Sequence, residues 1–99
     1  MNDLEYHVEA TGVKSDIKIY STFYQAKAHA VFLLHAFRYN VPIVCIDVVT
    51  WTRAAARQYG GDEAAAIYDE DPDASVHDRI KCTLDSKGNL VTESLGRVP

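Results

Sequence analysis

Three aspartates at alternate positions, Asp69, Asp71 and Asp73, come closest in this chain to the spacing of a known chemical site. Carboxylates at the first, third and fifth positions open the loop of a helix–loop–helix calcium site. Such a loop also needs glycine at its sixth position and glutamate at its twelfth, where this chain has Ala74 and Ile80. The spacing therefore does not predict a calcium site.

The four histidines and two cysteines could bind zinc only if the fold brought them together from separate elements. His29 and His35 would point about 120° apart on a helix, which is not a ligand spacing. Cys45 and Cys82 lie in strand-like runs and are typical of small buried side chains that stay reduced. The chain has no Gly-x-Ser-x-Gly elbow and no glycine-rich phosphate loop. We therefore predict no metal, no cofactor and no catalytic residue, and a protein that is not an enzyme.

Residues 62–78, which we call the acidic segment, hold seven of the 14 acidic residues and no Lys or Arg, although the net charge of the chain is only −4. Such a concentration of charge indicates either a solvated face that aids solubility or a docking surface for a basic protein. Because phosphate backbones are bound by Lys and Arg, we expect no direct contact with nucleic acid. The candidate docking residues are Asp62, Glu63, Asp69, Glu70, Asp71 and Asp73.

A helix is predicted from Thr22, which forms a capping box with Gln25, to about Tyr39. Its core stripe is Ala26, Ala30, Leu33, Leu34 and Phe37. The opposite side is also apolar, whereas a surface helix is normally polar there. We call it the aromatic face: either the second helical region covers it, or it binds a second copy or another protein. Its candidate binding residues are Tyr24, Phe32, His35 and Tyr39, with Ala28 between the first two.

The remaining elements are predicted from alternation and from turn residues. They are a hairpin of strands 4–10 and 16–23, a strand over 41–51, two short helices over 53–59 and 63–68 separated by Gly60 and Gly61, and a hairpin over 80–95 with a turn at 85–89. In the first hairpin we expect Ile17, Ile19 and Phe23 to face the core. We expect the opposite face to show Glu5, His7, Glu9, Lys18 and Tyr20.

The run from Val41 to Trp51 has the strongest β-forming character in the chain and predicts an interior strand. Asp47 interrupts it. A carboxylate within such a strand needs water or a polar partner, because burying it alone costs several kcal/mol. We expect Asp47 to face solvent or to have found a partner, rather than to catalyse a reaction.

Together these elements predict an α+β fold, with residues 1–99 forming a single domain. Its mostly antiparallel five-strand sheet carries one main helix, and a short acidic helical insertion precedes the second hairpin. The apolar runs are far shorter than the ~20 residues that span a membrane. The first residues, Met1 to Glu5, show neither a basic region nor an apolar signal core. We expect a cytoplasmic chain without membrane contact.

The order of elements, a hairpin, a Thr22-x-x-Gln25-Ala26-x-x-x-Ala30 helix, a β run, an acidic segment and a second hairpin, resembles small accessory proteins of bacteriophages and mobile elements. Many of these are anti-defence inhibitors such as anti-CRISPR proteins, which tend to be small, acidic and free of catalytic motifs. The resemblance implies inhibition by occupying the nucleic-acid-binding surface of a host protein complex. The acidic docking residues would meet the Lys and Arg that otherwise hold phosphates.

Two functions therefore follow from the sequence. The first is a non-enzymatic protein-binding module that docks through the acidic segment on a basic protein surface. The alternative is a small homodimeric ligand-binding protein or enzyme with a pocket at the aromatic face. The polar groups of that pocket would be Tyr24, His35, Tyr39 and Asp47.

Overall fold

Five strands and two helices make up the computed structural model of this protein, which describes residues 4–11, 17–37, 43–70 and 76–96. The elements are β1 (Leu4–Thr11), β2 (Lys18–Tyr20), α1 (Phe23–Ala36), β3 (Ile43–Thr50), α2 (Arg53–Glu70), β4 (Val76–Leu84) and β5 (Leu90–Ser94). The strands form one antiparallel sheet in the order β2-β1-β3-β4-β5. The predicted α+β fold with a five-strand antiparallel sheet is confirmed.

The central strand β3 pairs with β1 on one side and with β4 on the other, both antiparallel. Its β-branched run is the reason for this interior position, because such residues pack well on both neighbours. β2 also pairs antiparallel with β1, so β2 and β3 run in the same direction with β1 between them. The connection between β2 and β3 is α1, which lies across one face of the sheet.

The helix α1 begins where the sequence predicts, since the Thr22 hydroxyl accepts a hydrogen bond from the Gln25 backbone N–H at 3.2 Å. Its predicted core stripe packs on the sheet, and Ala26 and Ala30 are fully buried. These small side chains let the helix approach closely, while Leu33 and Leu34 fill the space beyond them. Burying each leucine stabilises the fold by roughly 1.5–3 kcal/mol. The helix ends at Ala36, and the predicted end at Tyr39 lies outside the described residues.

The prediction for the face of β2 is wrong. Ile19 pairs with His7 and lies on the sheet face away from α1, where it is 55% exposed. Tyr20 pairs with Tyr6 instead and packs against the core. Alternation alone separates two faces without saying which is buried, so a shift of one residue reverses the assignment. Ile17 is exposed as well, whereas Phe23 does contact the core as the first residue of α1.

The second helical region contains two helical halves that meet at Gly61, as the two predicted short helices indicate, and they fold back on each other as a helical hairpin. The Thr52 hydroxyl caps its first half by accepting from the Ala55 backbone N–H at 3.1 Å. Gly61 breaks the helix with φ 74° and ψ −160°, a backbone conformation that essentially only glycine adopts. The two ends of α2 lie side by side, because the Tyr68 hydroxyl donates to the Trp51 carbonyl at 3.2 Å.

The last hairpin is longer than predicted, since β4 begins at Val76 rather than near Ile80. Asp78, part of the acidic segment, therefore belongs to the sheet. Its carboxylate accepts hydrogen bonds from the Ser94 hydroxyl and the Gly96 backbone N–H. The predicted turn after β4 is present: the Asp85 carboxylate accepts two backbone N–H groups, and Gly88 has φ 81°.

Candidate functional site

The acidic half of α2, residues 62–70, carries four exposed carboxylates and no basic residue. They are Asp62, Glu63, Asp69 and Glu70. The other two candidate docking residues, Asp71 and Asp73, lie outside the described residues. The break at Gly61 allows this half to fold back on the first half, so that its acids lie near the arginines of residues 53–60.

Two arginines from the first half of α2 pair with acids of the second half. Arg53 Nε donates to both oxygens of Asp69 at 3.0 and 3.1 Å, and Arg57 Nε lies 3.1 Å from Asp62. The Asp62 side chain remains 87% exposed and the other three are more than half exposed. Such pairs each contribute about 0–1 kcal/mol, because water screens them. They hold the hairpin closed only weakly.

The aromatic face of α1 is exposed. Tyr24 is 79% and Phe32 is 65% exposed, so α2 does not cover them. Ala28 between them and His35 are exposed too, and Tyr39 lies outside the described residues. The sequence left two alternatives for this face. Within the described residues, the first alternative, that the second helical region covers the face, is wrong.

Two histidines of α1 have different surroundings. The ring of His35 lies beside the turn between β4 and β5. Its Cε1 atom would lie 3.5 Å from a Cβ atom placed on Gly88. His29 lies between Tyr20 and Phe32, with ring centroids 5.6 and 6.2 Å away. Burial, and then the nearby charge of Lys18, lowers the pKa of His29 below its ordinary value of 6.5.

The sheet face opposite α1, which we call the open face, carries an ordered polar network. Arg79 donates from Nε and Nη2 to the two carboxylate oxygens of Asp47, its cross-strand neighbour, at 2.8 and 2.9 Å. This contact raises the pKa of Arg79. Asp47 has therefore found a partner on the wet side of the sheet, one of the two outcomes that the sequence predicts.

A second polar group on the open face joins β1 to the residue after β3. The Trp51 indole N–H donates to Glu5, whose carboxylate also lies 3.2 Å from His7 Nε2. The bond from Trp51 is the main reason why the pKa of Glu5 is lowered; burial opposes this effect, and the hydrogen bond and charge of His7 lower the pKa further. These contacts bind the end of β3 to β1.

Sequence reasoning missed Arg79 as the partner of Asp47. The two residues are 32 positions apart, so no local pattern relates them. An available signal is that Arg79 lies one residue before the alternating run of Ile80, Cys82 and Leu84. Extending that strand backwards places a cation on the same face as the Asp47 carboxylate.

The alternative pocket at the aromatic face cannot contain all of its predicted residues. Asp47 lies on the open face, whereas Tyr24 and His35 belong to the helix on the other side of the sheet. A small apolar cavity of about 110 Å³ does exist on the α1 side, between Tyr6, Phe23 and Tyr59. It holds none of the predicted polar groups. A surface hollow of about 350 Å³ lies beside β2, lined by Glu5, Tyr20 and Gln25 among others.

The two cysteines lie on opposite faces of the sheet and are both free. Cys82 is in the core, where burial raises its thiol pKa to about 11. Cys45 is half-buried on the open face, and burial raises its pKa more than Arg79 lowers it. Both thiols are therefore poor nucleophiles. Within the four described stretches, no three His, Cys, Asp or Glu side chains come together as a metal site.

Comparison with known proteins gives no match: no family model fits the chain, and no curated protein or solved structure matches it. In the described part of the chain, neither helix combines the length and apolar character that a membrane span requires.

Proposed function

We propose that this chain is a non-enzymatic protein-binding module that docks through the acidic half of α2 on a basic surface of another protein. The observation that supports this function is the concentration of negative charge in residues 62–70. All the carboxylates of residues 62–70 are exposed, and no base lies among them. They stand on an element that contributes mainly alanines, such as Ala56 and Ala65, to the buried interior.

The internal ion pairs of α2 are compatible with docking. A basic partner has to displace Arg53 from Asp69, or add its own cation beside the pair. Because exposed pairs contribute so little, displacement costs at most about 1 kcal/mol for each pair. Glu63 and Glu70 have no ion pair among the described residues and are free to meet the partner first.

The partner that fits this surface is a protein whose Lys and Arg normally bind phosphates. Carboxylates on a helix offer those cations a charge of the same sign as a nucleic acid backbone, and such charges steer association over distances of about 10 Å. The order of elements resembles anti-defence inhibitors, which adds a biological setting to the same proposal: the module would occupy the nucleic-acid-binding surface of a host complex.

The experiment that tests this proposal compares two variants with the same net charge. Glu63→Lys/Glu70→Lys changes the acidic half of α2, and Glu9→Lys/Glu93→Lys changes two exposed strand residues. Both variants raise the net charge from −4 to zero. Each tagged protein is used to capture partners from a lysate of the source cells at low and high salt, and the captured proteins are identified by mass spectrometry.

The captured partner is then purified and its affinity for each variant is measured by calorimetry, with and without an oligonucleotide competitor. We expect the α2 variant to bind about tenfold more weakly or worse, a loss of about 1.4 kcal/mol, while the strand variant binds as the parent does. The oligonucleotide should compete with the parent chain. Equal binding by both variants would show that the acidic half of α2 is not the docking surface, and a lack of competition would show that the partner's docking surface does not bind nucleic acid.

A further inference from the structure

We propose that the aromatic face of α1 binds the same face of a second copy, giving an antiparallel two-fold dimer centred on Ala28. This inference does not depend on the docking function of α2. The face is exposed and apolar, and the other side of the helix packs in the core. It therefore offers an apolar surface on which a second apolar face can pack.

The spacing of the face is self-complementary. Tyr24, Ala28 and Phe32 are four residues apart, so they lie along one side of the helix. Large, small and large side chains follow in the same order when the helix is read from either end. An antiparallel pair therefore places Tyr24 of each copy beside Phe32 of the other, and the two Ala28 residues at the axis. The alanines allow the helix backbones to approach closely.

The charge on the face favours a second copy over a basic partner. The helix Phe23–Ala36 contains no acidic residue, so the face offers no carboxylate to a cationic surface. Its cation, Lys27, is turned aside and lies over the Phe23 ring, 5.1 Å from the centroid. Two copies can thus meet without placing like charges at the axis, even though each chain carries −4 overall.

The available area is well below that of a stable interface and fits only a weak, reversible dimer. A large aromatic side chain offers about 150–250 Å² of surface. With 79% of Tyr24 and 65% of Phe32 exposed, the two rings supply about 300 Å² per copy, and Ala28 and His35 extend the patch. A stable interface of standard size buries about 800 Å² per partner. The face therefore predicts a concentration-dependent dimer rather than an obligate one.

The first test measures the mass of the full-length chain in solution by sedimentation equilibrium over a wide range of concentration. We expect the parent to dimerise, and Phe32→Lys to raise the dissociation constant at least tenfold. The matched control is Val91→Lys, which places the same charge on an exposed apolar residue of β5. Circular dichroism checks that each variant is folded. High salt should leave the dimer intact, which distinguishes it from docking through α2.

The second test examines the orientation. In a Cys45→Ser background, Ala28→Cys should form a disulfide-linked dimer on mild oxidation, because the two Ala28 positions face each other at the axis. Tyr24→Cys should not, because it faces Phe32 of the other copy. A parent that is monomeric at all concentrations, a Phe32→Lys variant that dimerises like the parent, or crosslinking through Tyr24→Cys instead of Ala28→Cys would overturn the proposal.

Discussion

Removing the ion pair between Asp47 and Arg79 should destabilise the fold, because this pair joins the central strand β3 to β4. The Asp47 side chain is 13% exposed and the Arg79 side chain 36% exposed. Hydrogen bonds to charged groups contribute about 1.5–3 kcal/mol, whereas fully exposed pairs contribute about 0–1 kcal/mol. This half-buried pair with two hydrogen bonds lies between these limits, so we expect an interaction energy of about 1–2 kcal/mol.

The measurement is a double-mutant cycle of Asp47→Asn, Arg79→Met and the combined variant, each unfolded in urea and followed by circular dichroism and the fluorescence of Trp51. Arg79→Met should cost about 2–3 kcal/mol, because it leaves a carboxylate without its partner. For a domain of this size the corresponding fall in Tm is roughly 10–20 °C. Asp47→Asn keeps an acceptor for the guanidinium and should cost about 1 kcal/mol.

The control is Lys81→Met, which removes a cation from the same strand and face and has no ion pair among the described residues. It should change the free energy of unfolding by less than about 0.5 kcal/mol. If the costs of Asp47→Asn and Arg79→Met simply add in the double variant to within about 0.5 kcal/mol, the two groups do not interact and the reasoning is refuted.

Three further changes test other parts of the structure. Thr50→Val should raise the free energy of unfolding by about 1 kcal/mol, measured in urea, because the Thr50 hydroxyl is buried and has no hydrogen-bond partner among the described residues; a loss of stability would mean that the hydroxyl is satisfied. Gly61→Ala should lower the melting temperature, since φ 74° and ψ −160° cost any other residue about 1–3 kcal/mol, and an unchanged temperature would contradict the described break in α2. The pKa of His29 is lowered in the folded chain, so the unfolded chain binds its proton first as pH falls through 6.5. The free energy of unfolding, measured in urea at several pH values, should therefore decrease as the pH falls below 6.5. His29→Gln should make this decrease smaller, and the same pH dependence in both proteins would count against the lowered pKa.

Local signals in the sequence predicted the local features of the fold. Thr22 and Thr52 cap their helices, Gly61 breaks α2, and the turn at residues 85–89 forms as its Asp and Gly indicate. The core stripe of α1 is correct because its helical period is sustained over several turns. Each of these features depends on residues within a few positions of one another.

Features that depend on distant residues could not be read in the same way. The face of β2 depends on its register with β1, and that register places Ile19 rather than Tyr20 on the open face. The contact between Asp47 and Arg79 depends on the register of β3 with β4. The acidic segment divides between α2 and β4, so Asp78 serves the last hairpin instead of extending the candidate docking surface.

Because β3 and β4 pair antiparallel, α2 lies in the connection of a β-hairpin. Adjacent antiparallel strands can be joined by a turn of two to five residues. The whole stretch between Thr50 and Val76 is therefore an enlarged hairpin loop, and its helical part returns to its starting point where Tyr68 meets Trp51. A loop of this kind can change length and composition in evolution without altering the strands that carry it. Under the docking function proposed above, the sheet would be the scaffold and the acidic half of α2 the recognition element, so that the helix could change while the sheet stays constant.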